Sequence, residues 1–462
     1  MKKIILSTVA ISALVTTNVW GDSASDIAQM KAMMKQMNMR LAKLEKENNQ
    51  LKAQVKKIKK SHHKTTTKRV AHHTKPKPSH KDSEVTTDEF VQKYAKATPV
   101  FAKTSKLKFS GKHYLGFVSN DKDYMDGSSS NSSYFETRRN YLQVKGYFFD
   151  NPKSYMRVTL DTHQVHNSVD DDSDISFGDT GDWEVRLKYA YLYLDDIMPF
   201  TGVEFGQAHR PWIDFEEHHG WLYRSIQKTF VEAKQGADFT NSADLGINFK
   251  TKTEYFSSEL GLFNGDGYHG VYGTGDYDKD GNTLSAEWRL TGHLLGTGEK
   301  HVHRDDRYAD ISFYGQYNTE FEKKGGIDEN ENLQDFVWYG LNAVYNQPEF
   351  LIAANYLKAS DGADKYRGEG YSINGELRLL TFDDSMQRWN LLARYDYFEH
   401  DNYKYLSKEA IIAGIAYQWN KNVEFILNYE GDKLEYNTNY ADLKGSNQTD
   451  SDSILFTAEV NW

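Results

Sequence analysis

The sequence has no cysteine, few prolines and no long apolar run beyond its first twenty residues. Zero cysteines exclude a fold held by disulfide bonds, and the lack of any later run of eighteen apolar residues excludes a protein that crosses a membrane with helices. The chain is instead rich in aromatic residues, which make up 14% of it, and its mean hydropathy is −0.74. Tyrosine (31) and phenylalanine (24) dominate this aromatic set. Such a composition is typical of β-strands that have one polar and one apolar face.

Residues 1–21 have the pattern of a secretory signal peptide. Lys2 and Lys3 precede an apolar segment from Ile4 to Val15, and Gly21 ends a tolerable cleavage site. We therefore expect the mature chain to leave the cytoplasm. Residues 1–105 contain 21 Lys and Arg against 8 Asp and Glu, whereas the remainder contains 35 against 58. The two parts of the chain therefore face different surroundings.

A heptad repeat predicts an α-helical coiled coil over residues 26–60, in the periplasm. Apolar side chains recur at alternating spacings of three and four, which keeps them on one face only if helices supercoil around each other. Asn48 occupies one buried position, where a polar side chain fixes the register of identical chains. A single amphipathic helix is the alternative, and the repeat does not distinguish a dimer from a trimer. The repeat comprises Ile27, Met30, Met34, Met37, Leu41, Leu44, Asn48, Leu51, Val55 and Ile58.

Residues 61–105 predict a basic, disordered linker before the strands begin. Residues 56–81 are rich in Lys, Arg and His and lack any apolar period. This segment is either a solvated spacer or an arm that binds anionic peptidoglycan. We expect no nucleic-acid partner.

Alternation of polar and apolar residues predicts sixteen β-strands over residues 106–462. An even number permits a closed antiparallel barrel, with alternate residues from Val185 to Tyr193 facing lipid and charged residues such as Arg394 facing a wet interior. The predicted fold class is therefore an all-β, 16-stranded antiparallel transmembrane β-barrel preceded by an α-helical coiled coil. The predicted strands are 106–118, 137–149, 153–165, 184–195, 202–210, 237–249, 252–263, 283–291, 307–318, 336–345, 349–357, 371–380, 389–397, 408–418, 423–430 and 453–462.

The connections alternate in length. Short joints, such as Asp150–Pro152, alternate with long ones such as 119–136 and 211–236. That asymmetry is typical of outer-membrane barrels, which have short periplasmic turns and long external loops. The link 292–306 is long, although it lies on the side of the barrel where the other turns are short. Either a strand boundary is wrong there or the turn carries an insertion. The last strand alternates up to Trp462, which resembles the signal that the barrel-assembly machinery recognises.

Residues 189–194 and 202–212 resemble the signature of the phosphate-selective porin O/P family. In that family a glycine-glutamine pair, here Gly206 and Gln207, precedes a loop that begins with a basic residue and proline, here Arg210. The resemblance implies a homotrimer of sixteen-stranded barrels in the outer membrane of a Gram-negative bacterium, in contact with membrane lipid and lipopolysaccharide. Phosphate selectivity does not follow, because the barrel carries more acidic than basic residues.

Loop 211–236 occupies the position at which sixteen-stranded porins fold a loop inward. We expect basic residues of the early strands to face the acidic start of this loop across a pore, which would orient dipolar solutes and give mixed or mildly cation-preferring transport. Ordinary solvated wall charges are the alternative. The candidate pore-lining residues are Lys108, Lys112, Arg139, Lys145, Arg157, Arg186, Lys188, Arg210, Asp214, Glu216, Glu217, Arg224, Lys228 and Arg394.

A second motif has the residue spacing of a calcium-binding loop. Asp276, Asp278, Asp280 and Glu287 supply alternating carboxylates around Gly281. Because no predicted helices flank the motif, an acidic hairpin is the alternative. Calcium is the only cofactor that the sequence suggests.

The sequence contains none of the common hydrolase or phosphate-loop motifs, so we expect no enzyme. The predicted function is passive diffusion of ions and small hydrophilic solutes through a water-filled barrel. The alternative is a structural anchor that links the cell wall to the outer membrane.

Overall fold

The computed structural model describes residues 106–164, 183–265, 267–268, 284–299, 301–320, 322–326, 333–379, 386–438 and 447–462. In these residues sixteen β-strands form one closed barrel, in which each strand pairs antiparallel with its neighbours in sequence and β1 closes on β16. The sixteen-stranded antiparallel barrel is therefore confirmed. The signal peptide, the coiled coil at 26–60 and the linker at 61–105 lie outside the described residues.

The barrel strands keep the order of the sequence. They are β1 Leu107–Tyr124, β2 Ser129–Gly146, β3 Tyr155–Gln164, β4 Trp183–Met198, β5 Thr201–His209, β6 Ala243–Lys252, β7 Phe256–Phe263, β8 Ser285–Leu295, β9 Tyr308–Asn318, β10 Phe336–Gln347, β11 Phe350–Asp361, β12 Gly368–Arg378, β13 Trp389–His400, β14 Tyr405–Asn420, β15 Val423–Tyr436 and β16 Gln448–Asn461. Two short helices lie between strands, α1 at Ile213–His219 and α2 at Glu322–Gly325.

The outer face of the barrel is largely apolar, whereas its inner face carries many polar and charged side chains beside buried apolar clusters. In β12 the buried residues Asn374 and Glu376 alternate with Ile373, which is 48% exposed. In β13 Arg394 is buried, whereas Leu391 on the other face is 42% exposed. In a closed barrel every backbone N–H and C=O group can pair with a neighbouring strand. These groups therefore need no water at the outer face, and that face can carry apolar side chains.

No helix in the described part of the chain is long and apolar enough to span a membrane.

The first hairpin is longer than the sequence predicts. Residues 119–136, predicted as a long loop, lie mostly in β1 and β2, which stay paired as far as Asp123 and Ser129. Ser119 and Ser133 also share a side-chain hydrogen bond of 3.0 Å. Polar residues such as these pair as well as apolar ones do, so polarity alone does not mark the end of a ladder.

A bulge in β4 reverses the two faces of that strand. Lys188 has no partner in the ladder with β3, and the residues that follow it alternate in the opposite phase. Leu187 is 43% exposed as predicted, but Tyr189 and Tyr191 are buried and, with Tyr193, line the interior. The predicted lipid-facing position of the three tyrosines is therefore wrong, because one extra residue moves every later side chain to the other face.

The glycine-glutamine pair of β5 supports this bulge. Gln207 Nε2 donates to the carbonyl oxygens of Leu187 at 2.6 Å and Lys188 at 2.9 Å. Gly206 has a φ of 123°, and a Cβ at that position would lie 2.4 Å from the carbonyl oxygen of Ala190. Only glycine fits both the backbone angle and the close approach. The pair thus holds β4 in the conformation that turns its tyrosines inward.

Candidate functional site

Residues 211–236, the inner loop, lie against inward-facing side chains of the barrel wall. Tyr308 of β9 donates a hydrogen bond of 2.8 Å to the carbonyl oxygen of His219. Asn374 of β12 donates one of 2.9 Å to the carbonyl oxygen of Gly220. Wall side chains therefore satisfy backbone groups of the loop, as buried polar groups require.

Charged wall residues hold the second half of the inner loop. Arg394 Nη1 of β13 donates to the carbonyl oxygen of Lys228 at 2.7 Å, and its guanidinium lies 4.8 Å from the ring centroid of Trp221. Lys408 Nζ of β14 donates to the carbonyl oxygen of Gly236 at 3.0 Å. The loop is thus bound along the wall from β9 to β14 and covers that side of the interior.

Helix α1 carries a buried carboxyl group that anchors the start of the inner loop. Trp212 Nε1 donates to Glu216 Oε2 at 2.7 Å, and Asn355 Nδ2 donates to Glu216 Oε1 at 2.8 Å. Burial raises the pKa of Glu216 to about 7, since desolvation disfavours its charged form. The indole of Trp212 stacks on Tyr314 with ring centroids 3.7 Å apart. These contacts fix α1 against β9 and β11.

On the opposite side the interior stays open as a cavity of about 660 Å³, here called the chamber. Strands β1–β6 form its wall, and the inner loop bounds its other side. Its lining is unevenly charged, with nine Lys and Arg against four Asp and Glu. Eight of the predicted pore-lining residues border it, namely Lys112, Arg139, Lys145, Arg157, Lys188, Asp214, Glu217 and Arg224.

The acidic start of the inner loop faces this basic wall, but its carboxylates have neighbours that compensate them. Glu217 pairs with Arg224. Asp214 lies 3.8 Å from His209 Nε2 and 3.9 Å from His218 Nδ1. The net character of the chamber is therefore basic.

Arg210 does not border the chamber, although the sequence predicts it as pore-lining. Its Nε donates to both carboxylate oxygens of Glu287 at 2.9 Å, and both side chains are buried. Asp276, Asp278 and Asp280 of the calcium motif lie outside the described residues, so calcium binding stays a prediction. Among the described residues, no group of three His, Asp or Glu side chains is arranged to hold a metal ion.

Five further predicted residues also lie away from the chamber lining. Arg186 pairs with Asp161 at 3.0 Å, and Lys228 Nζ lies 3.5 Å from Glu232. Lys108 is exposed next to Lys145 in the β1–β2 ladder. Glu216 lies within the inner loop and Arg394 lies beneath it, each held by the contacts described above.

Sequence reasoning misses several lining residues. Lys250 lies 3.4 Å from Glu204 and 3.2 Å from Glu259, and both Lys250 and Lys252 border the chamber. The predicted strand 237–249 ends three residues too early, since β6 continues to Lys252. Extending its alternation by three residues would have placed both lysines on the inner face.

The predicted boundary at residue 291 is wrong, because β8 continues to Leu295, but the turn 296–307 that follows is still long. Arg304 of this turn reaches Glu424 on β15 at 2.8 Å and Glu376 on β12 at 3.6 Å. Its guanidinium also lies 5.3 Å from the ring centroid of Tyr223 in the inner loop. One residue thus joins the turn, the inner loop and two wall strands on the side away from the chamber.

Comparison with known proteins gives matches in structure only. No protein-family model and no curated protein sequence matches the chain. The high-pH structure of Pseudomonas putida OprB superposes with a TM-score of 0.53 at 9% identity, covering 77% of this chain and 94% of that one. The anion-selective porin from Comamonas acidovorans gives a TM-score of 0.50 at 12% identity, covering 77% and 99%. These likenesses show that the barrel has the fold of solved porins.

Proposed function

We propose that this protein is an outer-membrane channel through which ions and small hydrophilic solutes diffuse passively. The observation that carries the proposal is the combination of an apolar outer face, a charged inner face and the chamber between β1–β6 and the inner loop. An apolar cylinder surface is stable in lipid, and a charged interior is stable only in contact with water. The likeness to solved porins supports this reading.

In this proposal the inner loop narrows the pore and confines transport to the chamber. The loop and the Arg304 turn fill the side of β9–β15, so solutes pass along the wall of β1–β6. The predicted coiled coil and the porin fold support a homotrimer in contact with outer-membrane lipid and lipopolysaccharide. The strand that ends at Trp462 would direct assembly, and residues 56–81 would contact peptidoglycan.

Reconstitution of the purified protein in a planar bilayer tests the channel function. We expect stepwise current increases in KCl, in groups of three if the protein is a trimer. Heat-unfolded protein added at the same concentration is the control and should give no steps. A folded barrel that inserts but conducts no current would contradict the proposal and favour the alternative of a structural anchor between cell wall and outer membrane.

An engineered disulfide tests whether the inner loop rests against the wall. A Cβ at Gly220 would lie 3.6 Å from the Cβ of Ala353, which is within the range of disulfide bonds. The natural chain has no cysteine to interfere. We expect the Gly220→Cys/Ala353→Cys variant to oxidise spontaneously, as measured by thiol titration, and to keep its conductance with and without reductant.

The matched control pairs Gly220→Cys with Ala359→Cys, which lies on the same strand β11 but at its other end. This pair should keep two free thiols. If the first pair stayed reduced under mild oxidation, or if locking it sharply changed the current, the inner loop would occupy a different position in the membrane.

A further inference from the structure

We propose that the chamber binds aromatic carboxylates, which names a solute class for the proposed channel and depends on that function. The proposal starts from four cations on β2–β4 that border the chamber: Arg139, Lys145, Arg157 and Lys188. Within the part of the chain that the structure describes, none of them forms an ion pair with Asp or Glu. Lys188 is 2% exposed and Arg139 is 9% exposed, so these charges are largely withdrawn from water.

Most cations elsewhere in the interior are paired with carboxylates, and Lys408 donates instead to backbone carbonyl oxygens of the inner loop. Arg394 donates to Asp396, with its Nε at 2.8 Å from Oδ1, and Arg289 lies 3.1 Å from Glu259. Buried charges are normally compensated in this way, because desolvation of a lone charge is costly. The cations without carboxylate partners are therefore concentrated where a solute would pass, and an anionic solute would supply the missing counter-charge.

Tyrosines take the place of carboxylates beside these cations. Arg139 and Lys188 both donate to the hydroxyl of Tyr141. Arg157 Nη1 donates to the hydroxyl of Tyr191 at 3.3 Å. A phenol oxygen that accepts from a cation keeps its own proton to donate. The hydroxyl of Tyr141, which borders the chamber, can therefore donate to a carboxylate oxygen without competing with the cations beside it.

The same wall is aromatic: Tyr155 and Tyr193 are partly exposed, and the buried rings of Tyr189 and Tyr191 pack behind them. Tyr155 lies 5.1 Å from Tyr193 and 6.2 Å from Tyr191, and Tyr189 lies 6.3 Å from Tyr191, all measured between ring centroids. These are ordinary distances for contacts between aromatic rings. The guanidinium of Arg157, 4.5 Å from the Tyr189 ring, adds a further planar surface. A planar ring in the chamber can stack on the accessible parts of Tyr155, Tyr193 and Arg157.

The size and charge of the chamber agree with an organic anion. A cavity of about 660 Å³ is much larger than an inorganic anion needs, and it falls within the range of small-molecule sites. Its excess of Lys and Arg over Asp and Glu favours anions, in contrast to the mixed or mildly cation-preferring pore expected from the whole barrel. The ligand class that uses both the cations and the rings is a carboxylate attached to an aromatic ring.

Inhibition of the KCl current in the bilayer by added sodium salts tests this proposal. We expect benzoate to reduce the current at a concentration about tenfold lower than acetate or cyclohexanecarboxylate does, which corresponds to about 1.4 kcal/mol. Arg157→Gln and Lys145→Gln should each weaken the benzoate effect by about tenfold, as expected for loss of one hydrogen bond to a charged group. Calorimetry of the detergent-solubilised wild-type protein with benzoate gives a second measurement that requires no variant.

Lys153→Gln is the matched control, because Lys153 also borders the chamber but its side chain is 77% exposed. It should change the benzoate effect by less than about twofold. Equal effects of benzoate and acetate in a conducting channel would overturn the proposal and leave the channel function intact. A stronger effect of inorganic phosphate than of benzoate would also overturn it. If the wild-type protein did not conduct at all, the channel function itself would be overturned.

Discussion

Replacement of residues 216–235 by a short glycine-serine linker is expected to raise the single-channel conductance several-fold. The inner loop covers the wall from β9 to β14, and a barrel of sixteen strands without it encloses a wide aqueous lumen. Wall side chains such as Asn374, which now donate to the loop, would donate to water instead. Barrel closure should therefore survive, because the strands pair with one another and not with the loop.

The measurement is the single-channel current of the variant in the same KCl solution as wild type. The shift of the folded band on an unheated gel shows that the barrel has formed. The oxidised Gly220→Cys/Ala353→Cys variant is the matched control and should keep the wild-type current. An unchanged current in a folded deletion variant would show that the inner loop does not limit transport.

Glu287→Ala is expected to cost about 3–5 kcal/mol of unfolding free energy, the range found when one partner of a buried ion pair is removed. Arg210 and Glu287 are both nearly inaccessible to water, and they join the residue before the inner loop to β8. Without the carboxylate, the guanidinium of Arg210 would lose its hydrogen bonds to Glu287 at the base of the loop. Spontaneous closures of the channel should become more frequent as well.

Unfolding in urea, followed by tryptophan fluorescence in detergent, measures the loss. Glu369→Ala is the control, since Glu369 pairs with Lys358 at 3.0 Å where both side chains are exposed, and such pairs contribute about 0–1 kcal/mol. Arg210→Met/Glu287→Leu should recover most of the lost stability, because it buries no charge. Equal losses in Glu287→Ala and Glu369→Ala would show that the Arg210 pair is not a buried one.

The sequence predicts the barrel well because alternation is a local property. In β12 and β13 most residues from Ser372 to Arg378 and from Asn390 to Asp396 have the polarity of the face on which they lie, with buried Leu392 as an exception. These strands can therefore be recognised without knowledge of their neighbours. The first hairpin is harder to delimit, because serine and aspartate there are paired in strands although their composition is typical of loops.

The site is predicted only in part, because it depends on insertions and long-range contacts. The extra residue Lys188 shifts the alternation of inward-facing and outward-facing side chains in β4. The residues before Lys188 alternate regularly and do not indicate this shift. The bonds from Gln207 to the bulge come from the next strand, so the sequence shows the glutamine but not its role. The side of the barrel that the inner loop covers is decided by partners such as Asn355, which is 139 residues from Glu216 in the chain.

The inner loop and the turn that carries Arg304 cover one side of the barrel wall and leave the other side open, so substitutions on the two sides should have different effects. Inward-facing residues of β9–β15 lie beneath the inner loop and the 296–307 turn. Substitutions there should therefore mainly lower the amount of correctly assembled protein. In the proposed channel, inward-facing residues of β1–β6 contact the passing solute, so changes there should alter which solutes cross while the amount of protein stays constant. All single substitutions of the wall can be scored once for surface abundance and once for growth on a limiting solute. Substitutions in β9–β15 should lower abundance, and those in β1–β6 should change growth at unchanged abundance.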